Sequence, residues 1–166
     1  MPRDPEFATL VLDGPLGRML LAASEAGLAG AWFEGQRHWP RAAGAWPPQP
    51  AHPLLQEASR QLAAYLEGRL ARFDLPLDTG RGTDFQRRVW QALADIPRGA
   101  TESYAALAAR IGAPGAARAV GAAVGRNPLC VVLPCHRVLG QAGALTGYAG
   151  GLQRKTALLR LEGALP

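Results

Sequence analysis

The sequence predicts two domains of different class. An α/β N-terminal domain, a small antiparallel sheet plus one helix, spans residues 1–80, and a mainly α C-terminal domain with a helix-turn-helix spans residues 83–166. Three observations carry this reading. Apolar residues up to Phe33 come in short runs between turn signals, and later they recur every three to four positions. Thr79-Gly80-Arg81-Gly82 interrupts both patterns as a joint. The charge divides there too: residues 1–82 hold 8 Arg against 9 Asp plus Glu, a net of −1, whereas residues 83–166 hold 10 Arg plus Lys against 4 Asp plus Glu, a net of +6.

Thr9 to Leu12, the turn Asp13 to Gly17, Met19 to Ala23, the turn Ala26-Gly27 and Leu28 to Phe33 read as a three-stranded meander. Five prolines between Pro40 and Pro53 oppose helix and ladder, so residues 34–53 are expected to be an irregular loop pinned by Trp39 and Trp46. Pro53 suits a first helical position, and Leu54, Leu55, Ala58, Leu62 and Leu66 follow at helical spacing until Gly68. Phe73 to Leu77 is expected to add an edge strand. His38 and His52 lack a Cys or close acidic partner, so no metal site is expected.

Beyond the joint, Thr83 is an expected N-cap for a helix carrying Phe85, Val89, Trp90 and Leu93, which ends before Pro97-Arg98-Gly99. Ser103 caps a second helix, Tyr104 to Ile111. Gly112-Ala113-Pro114-Gly115 makes a tight turn into a third, Ala116 to Arg126. Two short helices across such a turn, in a basic half, suit a helix-turn-helix. The third helix is thin, and each glycine inside it costs about 1 kcal/mol against alanine. Close packing on a neighbouring helix or close approach to a nucleic-acid groove would compensate for Gly121 and Gly125, and both can hold on opposite faces. Arg118 is its one long side chain before Arg126.

The apolar run Leu129 to Leu133 reads as a strand delivering Pro134-Cys135-His136-Arg137-Val138. A buried Cys is more often inert filler than nucleophile. A neighbouring base favours the other reading, because an ordinary thiol near pKa ~8.5 is only a few per cent thiolate at neutral pH. The glycine-rich segment Gly140 to Gly151, with Tyr148, can bring backbone amides near a ligand. A last helix, Leu152 to Glu162, is expected to bury Leu158, Leu159 and Leu161. It leaves Glu162 at an end where the helix dipole disfavours an anion by ~0.3–1 kcal/mol.

Hydrophobic content of 48% with 19% charged residues excludes a disordered chain. No apolar run approaches the ~18 residues of a membrane span, and Met1 to Glu6 is not a signal peptide. Two cysteines cannot build a disulfide framework, so a reducing cytoplasm is expected.

Residues 83–163 resemble the O6-alkylguanine-DNA alkyltransferases, the methylated-DNA–protein-cysteine methyltransferases. The matching stretches are Phe85-Gln86 with Val89-Trp90, Ser103-Tyr104, Ala116 to Gly121, Asn127-Pro128, Pro134 to Val138, Gly147-Tyr148 with Gly150-Gly151, and Glu162-Gly163. The N-terminal half matches in size and coarse pattern. The resemblance implies a ribonuclease-H-like first domain and a winged-helix-like second one. It implies repair of double-stranded DNA containing O6-alkylguanine by base flipping and irreversible, single-turnover transfer of the alkyl group. Cys135 would be the acceptor, His136 would work through a bridging water, Glu162 would orient the imidazole, and Asn127 would brace the active-site turn. Tyr104 would push the target phosphate and contact the base, and Arg118 would take the flipped guanine's place in the stack. Ala119, Gly121, Ala122 and Arg126 would lie along the DNA; Val138, Tyr148, Ala149 and Gly150 would line the pocket. Some relatives carry a hydroxyl where Ala149 stands, which leaves alkyl-size preference open. No cofactor and no metal are implied, and a monomer is expected. A helix-turn-helix regulator or a lesion sensor is the alternative.

Overall fold

The computed structural model describes residues 6–166. Residues 1–5, which bear most of the signal-peptide question, lie outside them. The chain divides into two compact units that meet between Asp78 and Thr79.

In the first unit, β1 (Ala8–Gly14), β2 (Gly17–Ala23) and β3 (Leu28–Phe33) form an antiparallel sheet in that order. Leu10 pairs with Leu21, and Leu21 with Ala31. α1 (Pro53–Leu66) packs on the sheet, burying Leu55, Ala58, Leu62 and Tyr65 over Met19, Leu21 and Phe33. Every residue of β3 is buried, because the opposite face is covered as well. Trp46 lies 4.8 Å from Phe7, edge to face, and 5.9 Å from Trp32. Gly30 makes that cover possible, since a Cβ there would fall 1.9 Å from the Trp32 ring.

Two expectations need correction here. One tryptophan, not two, pins the loop: Trp46 is packed, while Trp39 stays 37% exposed. Phe73 to Leu77 forms no strand. Its contact with the sheet is a single bridge, in which Leu28 N donates to Pro76 O and Asp78 N to Leu28 O, both at 2.8 Å. Pro76 has no N–H, so the ladder cannot extend through it.

In the second unit, α2 (Asp84–Leu93) opens with a capping box between Thr83 and Gln86. The two-residue strand β4 (Glu102–Ser103) leads into α3 (Tyr104–Arg110), whose Ser103 cap accepts from Ala106 N. The turn at Gly112 closes α3 with Gly112 N to Ala109 O and Ala113 N to Ala108 O, a Schellman pair. α4 (Ala117–Gly125) follows and packs on α2 and α3 through Val120, Ala123 and Val124. The buried Trp90 indole donates to Ala123 O at 2.8 Å. β5 (Val138–Leu139) pairs in parallel with β4, and α5 (Leu152–Leu161) ends the unit. No helix of the described residues is long and apolar enough to cross a membrane.

Candidate active site

Residues 129–133 do not form the expected strand. The Asn127 side chain folds them into a turn: its Nδ2 donates to Leu133 O at 2.9 Å and Leu129 O at 3.3 Å, and its Oδ1 accepts from Leu129 N at 3.0 Å. Leu133 N closes the turn onto Leu129 O at 2.9 Å. Val131 at its tip has φ 72°. A β-branched residue there is strained by about 1–3 kcal/mol and persists only where its surroundings over-determine it. Pro134, at φ −81° and ψ 62°, adds an inverse γ-turn, with Cys135 N donating to Leu133 O at 2.8 Å. The chain thus reverses twice before placing Cys135, His136 and Arg137 on one buried helical turn.

Cys135 is held below the usual thiol range. The largest influence is a hydrogen bond from the Cys130 thiol; Asn127, the Lys155 charge and backbone N–H act the same way, and burial opposes them. Its neighbour His136 is fully buried, with Nε2 2.5 Å from Glu162 Oε1. Burial lowers the imidazole below its ordinary range and outweighs Glu162, so the ring is neutral, with Nε2–H directed at the carboxylate. His136 Nδ1 is buried and has no hydrogen-bond partner among the described residues.

Glu162 lies at the C-cap of α5, the unfavourable end for an anion, yet its side chain is fully buried. Arg137 explains how. Its Nε donates to Glu162 Oε2 at 2.9 Å, its Nη2 to the same oxygen at 2.6 Å, and its Nη1 to Ile96 O at 2.6 Å. A forked guanidinium against a carboxylate is the strong form of ion pair. Gly99, at φ 88°, lets the preceding turn approach the same corner: a Cβ there would stand 3.2 Å from Glu162 O. Neither the Arg137 pairing nor this turn is foreseen in the sequence reading, although a basic residue beside His136 is a signal for the first.

Lys155 is the second residue missed. Its fully buried Nζ donates to Val138 O at 2.6 Å and to Thr146 O and Gly147 O at 3.1 Å each, tying the glycine-rich loop to β5. Burial lowers it to about 8. It is the only lysine in the chain, and three converging carbonyls suit a compact ammonium better than a planar fork. Leu161, expected to be buried, is only half-buried on α5.

The same loop carries Tyr148. Its Oη is buried without a hydrogen-bond partner among the described residues. Burial raises it well above the ordinary phenol value, and negative charge on Cys135 or Cys130 raises it further. Ala149 is half-buried beside it and Gly150 buried. Tyr104 arrives through the β4–β5 pairing; its hydroxyl lies 3.4 Å from Thr146 O and is raised by burial and then by the Cys135 charge. The structure therefore gathers Cys135, His136, Glu162, Asn127, Tyr104, Val138 and Tyr148 in one place.

The other predicted residues occupy the outer face of α4. Arg118, Ala119, Ala122 and Arg126 are exposed and Gly121 is half-buried. A Cβ on Gly121 would meet Tyr104 at an ordinary 3.7 Å, and one on Gly125 would meet open space. Helix packing therefore requires neither glycine; the small residue that serves it is Ala123, buried where the Trp90 indole reaches its carbonyl. Among the described residues no three His, Cys, Asp or Glu side chains gather as a metal site.

Comparison with known proteins extends over both units. Residues 9–79 match the family model for the 6-O-methylguanine DNA methyltransferase, ribonuclease-like domain, and residues 84–164 match that for its DNA binding domain. A methylated-DNA–protein-cysteine methyltransferase from Mycolicibacterium paratuberculosis is 50% identical over 157 residues, covering 95% of this chain and 92% of that protein. One from Methanosarcina acetivorans is 45% identical over 154 residues, covering 93% and 97%. Mycobacterium tuberculosis OGT, solved in complex with DNA, superposes with a TM-score of 0.84 at 47% identity, covering 96% of this chain and 94% of that one.

Proposed function

The chain belongs to the 6-O-methylguanine DNA methyltransferase family, and from that premise we propose how its own residues carry the reaction. It is a DNA-repair protein that moves an alkyl group from DNA onto a cysteine of its own, a methylated-DNA–protein-cysteine S-methyltransferase. Cys135 is the acceptor, and the substrate is O6-alkylguanine in double-stranded DNA. The observation that carries this is the Cys135 thiol, held low beside a neutral His136 whose far nitrogen is fixed by Glu162.

The residues divide the work. His136 Nδ1 takes the Cys135 proton through a water, and Glu162, itself held by Arg137, keeps the ring in the tautomer that leaves Nδ1 free to accept. The thiolate attacks the O6-alkyl carbon in line; the S–C bond forms as the C–O bond breaks, and guanine leaves with the electron pair. The Tyr104 hydroxyl, raised and therefore protonated, supplies a hydrogen bond to the departing base. Asn127 braces the turn, and Lys155 fixes the Val138 carbonyl that lines the pocket. Tyr148, Ala149 and Gly150 complete the wall.

The target base is unreachable inside a duplex and must be flipped, at a cost of a few kcal/mol, least for a poorly paired base. α4 presses its shaved face, Ala119, Gly121 and Ala122, into a groove, Arg118 fills the vacated stack, and Arg126 contacts the backbone. The helix-turn-helix regulator is disfavoured, since binding one DNA sequence requires no buried nucleophile. The S–C bond of the thioether is stable to thiols and water, so the thiol is not regenerated and each molecule, acting as a monomer in the cytoplasm, reacts once. Incubation with a duplex carrying O6-methylguanine should add one methyl to the intact mass of the protein. Cys135→Ser should abolish the gain while keeping duplex affinity, and a methyl gain in that variant would overturn the assignment.

A further inference from the structure

Gly140 has no backbone reason to be glycine. Its φ of −73° and ψ of −175° are ordinary extended values, open to any residue. What excludes a side chain there is Thr146: a Cβ on Gly140 would fall 2.9 Å from Thr146 Oγ1 and 3.3 Å from its Cγ2. The branched side chain of Thr146 therefore lies across Gly140. The Ala144 carbonyl closes the neck of the loop at the same point, accepting from Gly140 N at 2.8 Å and from Thr146 N at 3.0 Å. Thr146 is an exposed residue, so burial of apolar area does not account for this fit. Its carbonyl supplies another reason. Thr146 O accepts both the Tyr104 hydroxyl, at 3.4 Å, and the Lys155 ammonium, at 3.1 Å.

We propose that Thr146 is a positioning residue for Tyr104: its carbonyl parks the hydroxyl in the DNA-free protein and releases it to the entering base. The inference rests on the reading above, in which Tyr104 donates to the departing guanine. At 3.4 Å the parked contact is long for an O–H···O bond, whose usual range is about 2.5–3.0 Å, so little is lost when the hydroxyl turns away. A carbonyl stripped of its donors in a part-buried site is costly. Thr146 O avoids that cost because it keeps its bond to Lys155. Lys155 is in turn fixed by Val138 O at 2.6 Å and Gly147 O at 3.1 Å, so the parking place stays put after Tyr104 has left it. Tyr104 also faces Gly121 of α4, where the missing Cβ would have stood 3.7 Å from its ring. The bare helix at that point leaves the ring room to turn.

The test is a double-mutant cycle in the full chain, read as the rate of methyl transfer from a duplex carrying O6-methylguanine. Thr146→Gly removes the side chain that Gly140 accommodates. It should slow transfer about tenfold, within the ~10²-fold that misplacing a positioned group can cost, and leave the rate of Cys135 with iodoacetamide unchanged. Thr146→Val keeps the branched shape and should restore the wild-type rate. In a Tyr104→Phe background, which has no hydroxyl to park, Thr146→Gly should bring no further slowing. Gly140→Ala, which pushes the Thr146 side chain from its seat, takes its place in the cycle should Thr146→Gly fail to fold. If Tyr104→Phe alone transfers at the wild-type rate, the reading of Tyr104 fails and the proposal falls with it. If Tyr104→Phe is slow, the proposal alone is overturned by any of three results: Thr146→Gly at the wild-type rate, equal slowing in both backgrounds, or an altered iodoacetamide rate.

Discussion

The two units bury polar groups in different ways. Among the described residues, the first unit buries Thr9, Gln36 and Gln61, all neutral; the second buries Asn127 and four ionisable groups, His136, Arg137, Lys155 and Glu162. The neutral ones close local structure. Gln61 exchanges two hydrogen bonds with the Asp74 backbone at 2.8 and 3.0 Å, and Gln36 accepts from Phe33 N at 2.8 Å. In the first unit the ion pairs Arg18–Asp13, Arg60–Glu57 and Arg69–Glu67 lie in solvent, where such pairs contribute little. Folding a small α/β layer therefore needs no buried charge. Where charge is buried at a desolvation cost, as around Glu162, it surrounds the thiol, and chemistry is the better explanation for it.

The sharpest way to break this contrast is to remove one carboxylate from each unit. Glu162→Ala strands the Arg137 guanidinium and should cost roughly 3–5 kcal/mol in urea denaturation. Glu67→Ala removes a solvent-exposed pair with Arg69 and should leave the midpoint unchanged. Equal responses would erase the distinction. Methylation of Cys135 comes next. It exchanges a thiolate that accepts hydrogen bonds for a larger thioether in a packed site, and overpacking costs ~1–3 kcal/mol. Protein fully methylated on Cys135 should melt below the free-thiol form without DNA, with easier proteolysis in residues 83–166.

Lys155 sharpens the comparison through pH. Its folded-state pKa of about 8 lies below the ordinary 10.5. Between those values the unfolded chain holds a proton that the folded one has released, so stability rises with pH across that window. The rise should appear in wild-type melting curves and be missing in Lys155→Met. The smallest effect on stability belongs to Arg118→Ala on the exposed face of α4, which should not move the melting curve. It should lower the slope of log affinity for DNA against log salt by about one and slow repair in duplex more than on free alkylguanine.

Local chemistry made much of this legible beforehand. The meander, α1, the Thr83 and Ser103 caps and the Cys135–His136 adjacency all follow from short-range pattern. The run Leu129 to Leu133 misled because a β-branched apolar stretch reads as a buried strand, whereas one amide, Asn127, supplies the partners that a ladder would have supplied. Arg137 and Lys155 stayed hidden for a different reason. Their partners, Ile96 and Glu162 for one and Val138, Thr146 and Gly147 for the other, converge only in the fold. Lys155 still left a trace as the lone lysine among arginines.

The claim that the buried groups of the second unit prepare a thiolate is tested most directly by the pH profile of Cys135 itself. The rate of its alkylation by iodoacetamide, followed on the peptide from residue 127 to residue 137, reports the thiolate fraction. The account predicts a midpoint below the ordinary thiol value of ~8.5, moving upward in Cys130→Ala and in Glu162→Gln. A wild-type midpoint at or above that value would contradict it.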